Sequence, residues 1–306
     1  MTDATERAET AQDDGTSIYV SAPDGLRLHV RSYGNASADN LSVICLPGLA
    51  RTSADFARLA SGLTSDPFES RRVVALDYRG RGRSEYDSNP SNYSLPVEAA
   101  DVSAVLTALE LEPAVFIGTS RGGLLTMILA ASRPTAIAGV VLNDIGPVIE
   151  AKGLMRIKGY VGKLPAPRDY DEAADILRRL FGAQFPKFET DDWRDYARST
   201  WKTANGRLVV DYDQNLAKSL EAVDLERPLT PLWDQFDALV RVPVMVIRGA
   251  NSDILSAATL EAMRARRMDL DVIEVPDQGH APRLSEPEII RRIAAFITFC
   301  EISARR

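Results

Sequence analysis

The chain has 306 residues, of which 45% are hydrophobic and 26% charged, a globular balance long enough for one large α/β domain with an elaboration or for two domains. Its formal net charge of -7 gives no overall field that would draw nucleic acid or an anionic membrane, so neither is expected as a partner. Two cysteines, Cys45 and Cys300, make neither a disulfide framework nor a zinc site, and a cytoplasmic chain with reduced thiols is the simplest expectation.

Residues 1–17 carry Asp3, Glu6, Glu9, Asp13 and Asp14 without an apolar core, which reads as a disordered acidic tail rather than a secretory signal or membrane segment. Ile18 to Ser21 and Leu26 to Tyr33 then predict a hairpin around Pro23-Asp24-Gly25. In the second of these, Leu26, Leu28 and Val30 alternate with Arg27, His29 and Arg31, as in an antiparallel edge strand with His29 on its wet face. Short runs follow at Ser42 to Leu46, Val73 to Leu76, Ala114 to Ile117, Ala138 to Leu142, Val242 to Ile247 and Val272 to Val275. They are mostly apolar on both faces and alternate with helical patterns, which predicts a parallel sheet covered on both sides. The helices fall at Ser94 to about Leu109, Arg121 to Ser132, Ser256 to Arg266 and Pro287 to Ile302.

Between Glu150 and Trp233 this alternation stops, over a length too great for a plain loop. Ala173, Ile176, Leu177, Leu180 and Phe181 share one helix face there, and Trp193, Tyr196, Ala197, Thr200 and Trp201 share another after Thr190 as cap. The segment reads as a helical lid.

The chemistry centres on Gly118-Thr119-Ser120-Arg121-Gly122, set between a strand and a helix. A serine on so tight a turn needs very small neighbours, which Gly118 and Gly122 supply, and Ser120 is the candidate nucleophile. A serine hydroxyl needs a base, usually an imidazole oriented by a carboxylate. Of the two histidines, His29 lies on the hairpin and His280 in the loop Gln278-Gly279-His280-Ala281-Pro282, so the base is His280. For the acid, Asp253 follows Val242 to Ile247 and gives the order serine, aspartate, histidine; Asp144, after Leu142-Asn143 on the previous strand, is the alternative acid.

With these residues in place the chain resembles the α/β-hydrolase fold family from about residue 18 to 300. The resemblance rests on Gly118 to Gly122, on Leu46-Pro47-Gly48-Leu49, on Asp77-Tyr78-Arg79-Gly80-Arg81-Gly82-Arg83-Ser84 and on Gly279-His280. It implies a mostly parallel sheet flanked by helices, with the lid inserted after the sixth strand. Residues 18–149 and 234–306 would form the core domain and 150–233 the lid domain. It also implies an oxyanion hole from the backbone N–H groups of Leu49 and Arg121, with Pro47-Gly48 standing where many members have His-Gly. Asp77 to Ser84 becomes a structural turn beside the active site. No cofactor or metal is implied.

A serine nucleophile excludes the dehalogenase and epoxide hydrolase branches, which use an aspartate there. The resemblance implies hydrolysis of a small-molecule ester or lactone, as in small esterases, enol-lactonases and haloperoxidase-like members. A carbon–carbon bond hydrolase of ring-cleavage diketones and a non-catalytic binding protein are the alternatives. Arg51 and Arg121, near the oxyanion loop and the elbow, suggest an acidic substrate. Homo-oligomerisation is left open.

Overall fold

The apolar runs legible in the sequence pair into one eight-stranded sheet. The structure, a computed structural model, describes residues 15–36, 40–65, 71–221, 224 and 229–305. The expected acidic tail lies outside these residues up to position 14, but its last residues, Thr16 and Ser17, belong to the first strand.

In chain order, β1 (Thr16–Ser21) and β2 (Arg27–Gly34) form the hairpin, followed by β3 (Ser42–Leu46), α1 (Ala57–Thr64) and β4 (Arg72–Asp77). Next come α2 (Leu95–Ala108), β5 (Ala114–Thr119), α3 (Arg121–Ser132) and β6 (Ile137–Asn143). An excursion then runs through α4 (Ala151–Tyr160), α5 (Tyr170–Phe181), α6 (Thr190–Arg198), β7 (Trp201–Ala204), β8 (Arg207–Val210) and α7 (Leu216–Glu221). The chain rejoins the sheet through α8 (Trp233–Asp237), β9 (Val244–Gly249), α9 (Ala257–Arg266), β10 (Asp271–Val275) and α10 (Pro287–Ala304).

The sheet order is β1-β2-β4-β3-β5-β6-β9-β10. The pairs β1·β2 and β2·β4 are antiparallel and the rest parallel. Successive side chains point to opposite faces of a strand, so a run apolar throughout serves two cores at once. Val43 and Cys45 join one cluster with Leu59, Ile293 and Cys300, beneath α1 and α10. Ile44 and Leu46 join the other with Val102, Leu125 and Phe236, beneath α2, α3 and α8, and this cluster continues into the excursion through Leu177, Trp193 and Leu216.

Four expectations about these elements change. First, β2 lies inside the sheet rather than at its edge, and His29 is buried because its ring lies between Asp77 Oδ2 (2.7 Å) and Ser17 Oγ (3.0 Å). Second, β9 starts at Val244 rather than Val242, after Pro243, which has no N–H to give a ladder. Third, Trp201 opens β7 instead of continuing a helix, because Asn205 and Gly206 take positive φ values of 51° and 71° and turn the chain into a hairpin. Fourth, Thr190 begins α6 but is not its cap; the N–H of Glu189 donates to Asp192 Oδ2 at 2.9 Å instead. Leu180 remains 44% exposed. Among the described residues no helix is long and apolar enough to cross a membrane.

Cys45 and Cys300 are free thiols in the same core, and burial pushes that of Cys300 up to about 12. Where α10 crosses β6, a methyl on Gly139 would sit 2.3 Å from Cys300 Sγ. Gly139→Ala is expected to destabilise the fold by about 1–3 kcal/mol in urea unfolding, with Cys300→Ala on the same chain restoring most of the loss.

Candidate active site

At the end of β5 the chain must reverse into α3 within one residue, and that residue is Ser120, at φ 52° and ψ -113°. A non-glycine residue there stores strain and is held only by what surrounds it. Its N–H donates to Asn143 O at 3.0 Å and its carbonyl accepts from the N–H groups of Gly123 and Leu124. The turn is so tight that a methyl on Gly118 would lie 2.5 Å from the backbone of Gly122, and one on Gly122 would lie 2.0 Å from Leu46 O.

Ser120 Oγ lies 2.9 Å from His280 Nε2, and His280 Nδ1 lies 2.8 Å from Asp144 Oδ2. A carboxylate oxygen only accepts, so Nδ1 is the donor and Nε2 faces the serine as the acceptor. Asp144 is fully buried, and its Oδ1 also accepts from the Gly249 N–H (2.9 Å) and its Oδ2 from Ser252 Oγ (2.6 Å). It reaches this position from the end of β6 through a left-handed φ of 56°.

The expectation that Asp253 meets His280 is therefore corrected. Asp253 turns to Arg156 on α4, whose Nε and one terminal nitrogen donate to its two oxygens at 2.7 and 2.8 Å. Asn143 Nδ2 donates to Pro282 O (3.0 Å), tying the histidine loop to the end of β6. A second serine, histidine and aspartate lie in line at Ser17, His29 and Asp77, but none of the three lines the cavity described below.

The loop of Gly48 and Leu49 lies against the elbow, where a methyl on Gly48 would be 3.9 Å from Ser120 Cβ. Leu49 O accepts from Arg81 Nε at 2.8 Å. Arg81 pairs with Glu98 at 2.8 Å, and the other Glu98 oxygen accepts from Arg121 Nε at 2.5 Å. Burial pushes the Glu98 carboxyl up, but Arg81 and Arg121 outweigh it and hold the group below its ordinary range. The Arg121 side chain is thus spent on Glu98 and does not line the cavity. Arg51 does line it, but is held by Asp55, by Thr200 Oγ1 (2.7 Å) and by Ser199 Oγ (2.8 Å), with the Tyr196 ring 4.8 Å away. Neither arginine is free for an acidic substrate.

Over Ser120 and His280 opens a cavity of about 440 Å³. Its floor is the sheet end, with Leu49 and Thr119, and its walls come from the excursion, with Tyr160, Leu177, Phe181, Tyr196 and Tyr212. Such a site, mostly apolar with a few convergent polar groups, suits a small organic ligand.

The sequence model of the alpha/beta hydrolase fold matches residues 42–287. The chain belongs to the alpha/beta hydrolase fold family. It is 32% identical over 289 residues to a 3-hydroxybutyrate-oligomer hydrolase of Cupriavidus necator, covering 92% of this chain and 96% of that one. It is 28% identical over 273 residues to a 2-(acetamidomethylene)succinate hydrolase of Mesorhizobium japonicum, covering 89% and 92%. A crystal structure of an alpha/beta hydrolase from Novosphingobium aromaticivorans superposes with a TM-score of 0.86 at 40% identity, covering 93% of this chain and 98% of that one. The chain is a hydrolase of this fold.

Burial pushes the Asp253 carboxyl up, but hydrogen bonds from Arg156 outweigh it and hold the group below its ordinary value of 3.8. A carboxyl depressed on folding stabilises the protein above its unfolded pKa, and that contribution is lost as pH falls through the folded value. Asp253→Asn is expected to cost about 1–2 kcal/mol in urea unfolding at pH 7. The difference from wild type should shrink as pH falls below the ordinary value of 3.8 and through the lower value that Asp253 has in the folded state.

Proposed function

We propose that the chain hydrolyses carboxylic esters through an acyl-enzyme on Ser120. The contacts from Asp144 to His280 to Ser120, at 2.8 and 2.9 Å, carry this reading. Ser120 Oγ attacks the ester carbonyl while His280 Nε2 takes its proton, and Asp144 orients the ring and stabilises the imidazolium that forms. The oxyanion is received by the backbone N–H groups of Leu49 and Arg121, each worth roughly 3 kcal/mol of barrier. Arg121 opens α3, where the first N–H groups have no partner within the helix. His280 then returns its proton to the departing alkoxide, and water, activated by the same ring, cleaves the acyl-enzyme.

Residues 150–233 act as a lid that shapes the acyl or alcohol pocket and excludes water during the reaction. The relative from Cupriavidus necator is named for hydrolysing an oligomer of a hydroxy acid, whose units are joined by esters, and esters of hydroxy acids are the substrate class this supports here. A second reading is favoured by the relative named for 2-(acetamidomethylene)succinate, which is not an ester. Under that reading the same three residues open an acyl bond other than an ester or lactone, an amide carbonyl or a carbon–carbon bond beside a ketone.

A fluorophosphonate followed by intact mass tests the assignment. Wild type is expected to gain one adduct and Ser120→Ala none, with turnover of aryl esters lost by about 10⁴-fold or more. Asp144→Asn should cost about 10⁴-fold in kcat and Asp253→Asn less than about tenfold. An adduct that survives Ser120→Ala, or equal losses from the two aspartate variants, overturns it.

A further inference from the structure

Charge is distributed unevenly around the cavity. In a chain of net charge -7, its wall carries four arginines, Arg51, Arg58, Arg198 and Arg283, against two aspartates, Asp55 and Asp195. Asp55 is taken by Arg51, and Asp195 by Arg58 at 2.5 Å and Arg198 at 3.3 Å. Arg283 has no carboxylate partner among the described residues. One terminal nitrogen donates to Asp192 O at 3.0 Å and the guanidinium carbon lies 5.8 Å from the centre of the Phe188 ring. The rest of the fork has no partner among the described residues.

This position is built rather than loose. The Arg283 N–H donates to Gln278 Oε1 at 2.9 Å, and Asn143 holds the neighbouring Pro282 O, so the loop that presents His280 also presents Arg283. Arg283 stands three positions after His280, which keeps their Cα atoms within about 11 Å. The side chain is partly buried, and desolvation, with Arg51 nearby, draws its guanidinium below the ordinary arginine value against the opposing pull of Asp55, Asp195 and Asp192. Arginine is rarely removed from water without an anion to pair with, and its planar fork matches a carboxylate with two parallel hydrogen bonds.

Resting on the esterase reading above, we propose that Arg283 receives a free carboxylate of the substrate, so that the esters cleaved are those of hydroxy acids with an anionic end. The apolar wall of Tyr160, Leu177 and Phe181 takes the hydrocarbon part. A terminal unit of a hydroxy-acid oligomer has both features: an ester bond on one side and a carboxylate a few bonds away.

The test compares the dimer of 3-hydroxybutyrate as its free acid with the same dimer as its primary amide, which differs in charge and little in shape. Wild type should cleave the acid with a kcat/KM at least about tenfold higher. Arg283→Gln should raise KM for the acid roughly ten- to a hundredfold with kcat within about twofold, leave the amide unchanged, and be partly rescued by Arg283→Lys. Equal turnover of acid and amide by wild type, or equal losses on both in Arg283→Gln, overturns the carboxylate site. Labelling of Ser120 by a fluorophosphonate keeps this apart from the parent reading. A labelled enzyme that ignores the charge, or that cleaves neither dimer, refutes the role of Arg283 alone. An enzyme without Ser120 labelling refutes both.

Discussion

Glu98 is a carboxylate out of reach of water, and the loops around Ser120 depend on how it is neutralised. Desolvating an ion costs several kcal/mol, recovered only where its partners are well placed. Its two oxygens meet Arg81 and Arg121. Arg81, itself fully buried, passes the constraint on to Leu49 O, and Arg121 stands at the head of α3 beside Ser120. One carboxylate therefore fixes the distance between the loop of Gly48 and Leu49 and the elbow. Tyr78 adds a bond from its hydroxyl to Pro47 O at 3.1 Å, and Arg79 is held by Asp101, Asp87 and Asp24. The arginine-rich turn from Asp77 to Ser84 is an ionic scaffold turned inward.

Some of this was legible in the sequence because it is local. A strand apolar on both faces, such as Val43-Ile44-Cys45-Leu46, can lie only between two cores, and the glycines around Ser120 are required by a turn that spans a few residues. The hairpin at Asn205-Gly206 is also local, yet the aromatic stripe at helical spacing that ends in Trp201 masks it.

The carboxylate that meets His280 was not legible for a different reason. Asp144 and Asp253 are the same residue type, each just past a strand end, and what separates them is which carboxylate meets a histidine more than a hundred residues away in one case and which meets an arginine of the excursion in the other. Both lie between Ser120 and His280, so chain order does not separate them; the left-handed turn that brings Asp144 to His280 and the pairing of Asp253 with Arg156 do. Arg283 was missed likewise, because what marks it is the pairing of its neighbours with aspartates rather than anything in its own surroundings in sequence.

Pairing His280 with the aspartate that follows β6 also divides labour along the chain. Ser120 and Asp144 follow adjacent strands whose register pairs Thr119 with Asn143, so their separation is set by the sheet before the excursion begins. The position after β9, relieved of the histidine, anchors that excursion instead, through Asp253 and Arg156. The excursion's wall of the cavity and the contact from His280 to Ser120 are thus fastened to different aspartates, and that wall is free to diverge in shape and length without moving the hydrogen bonds to His280.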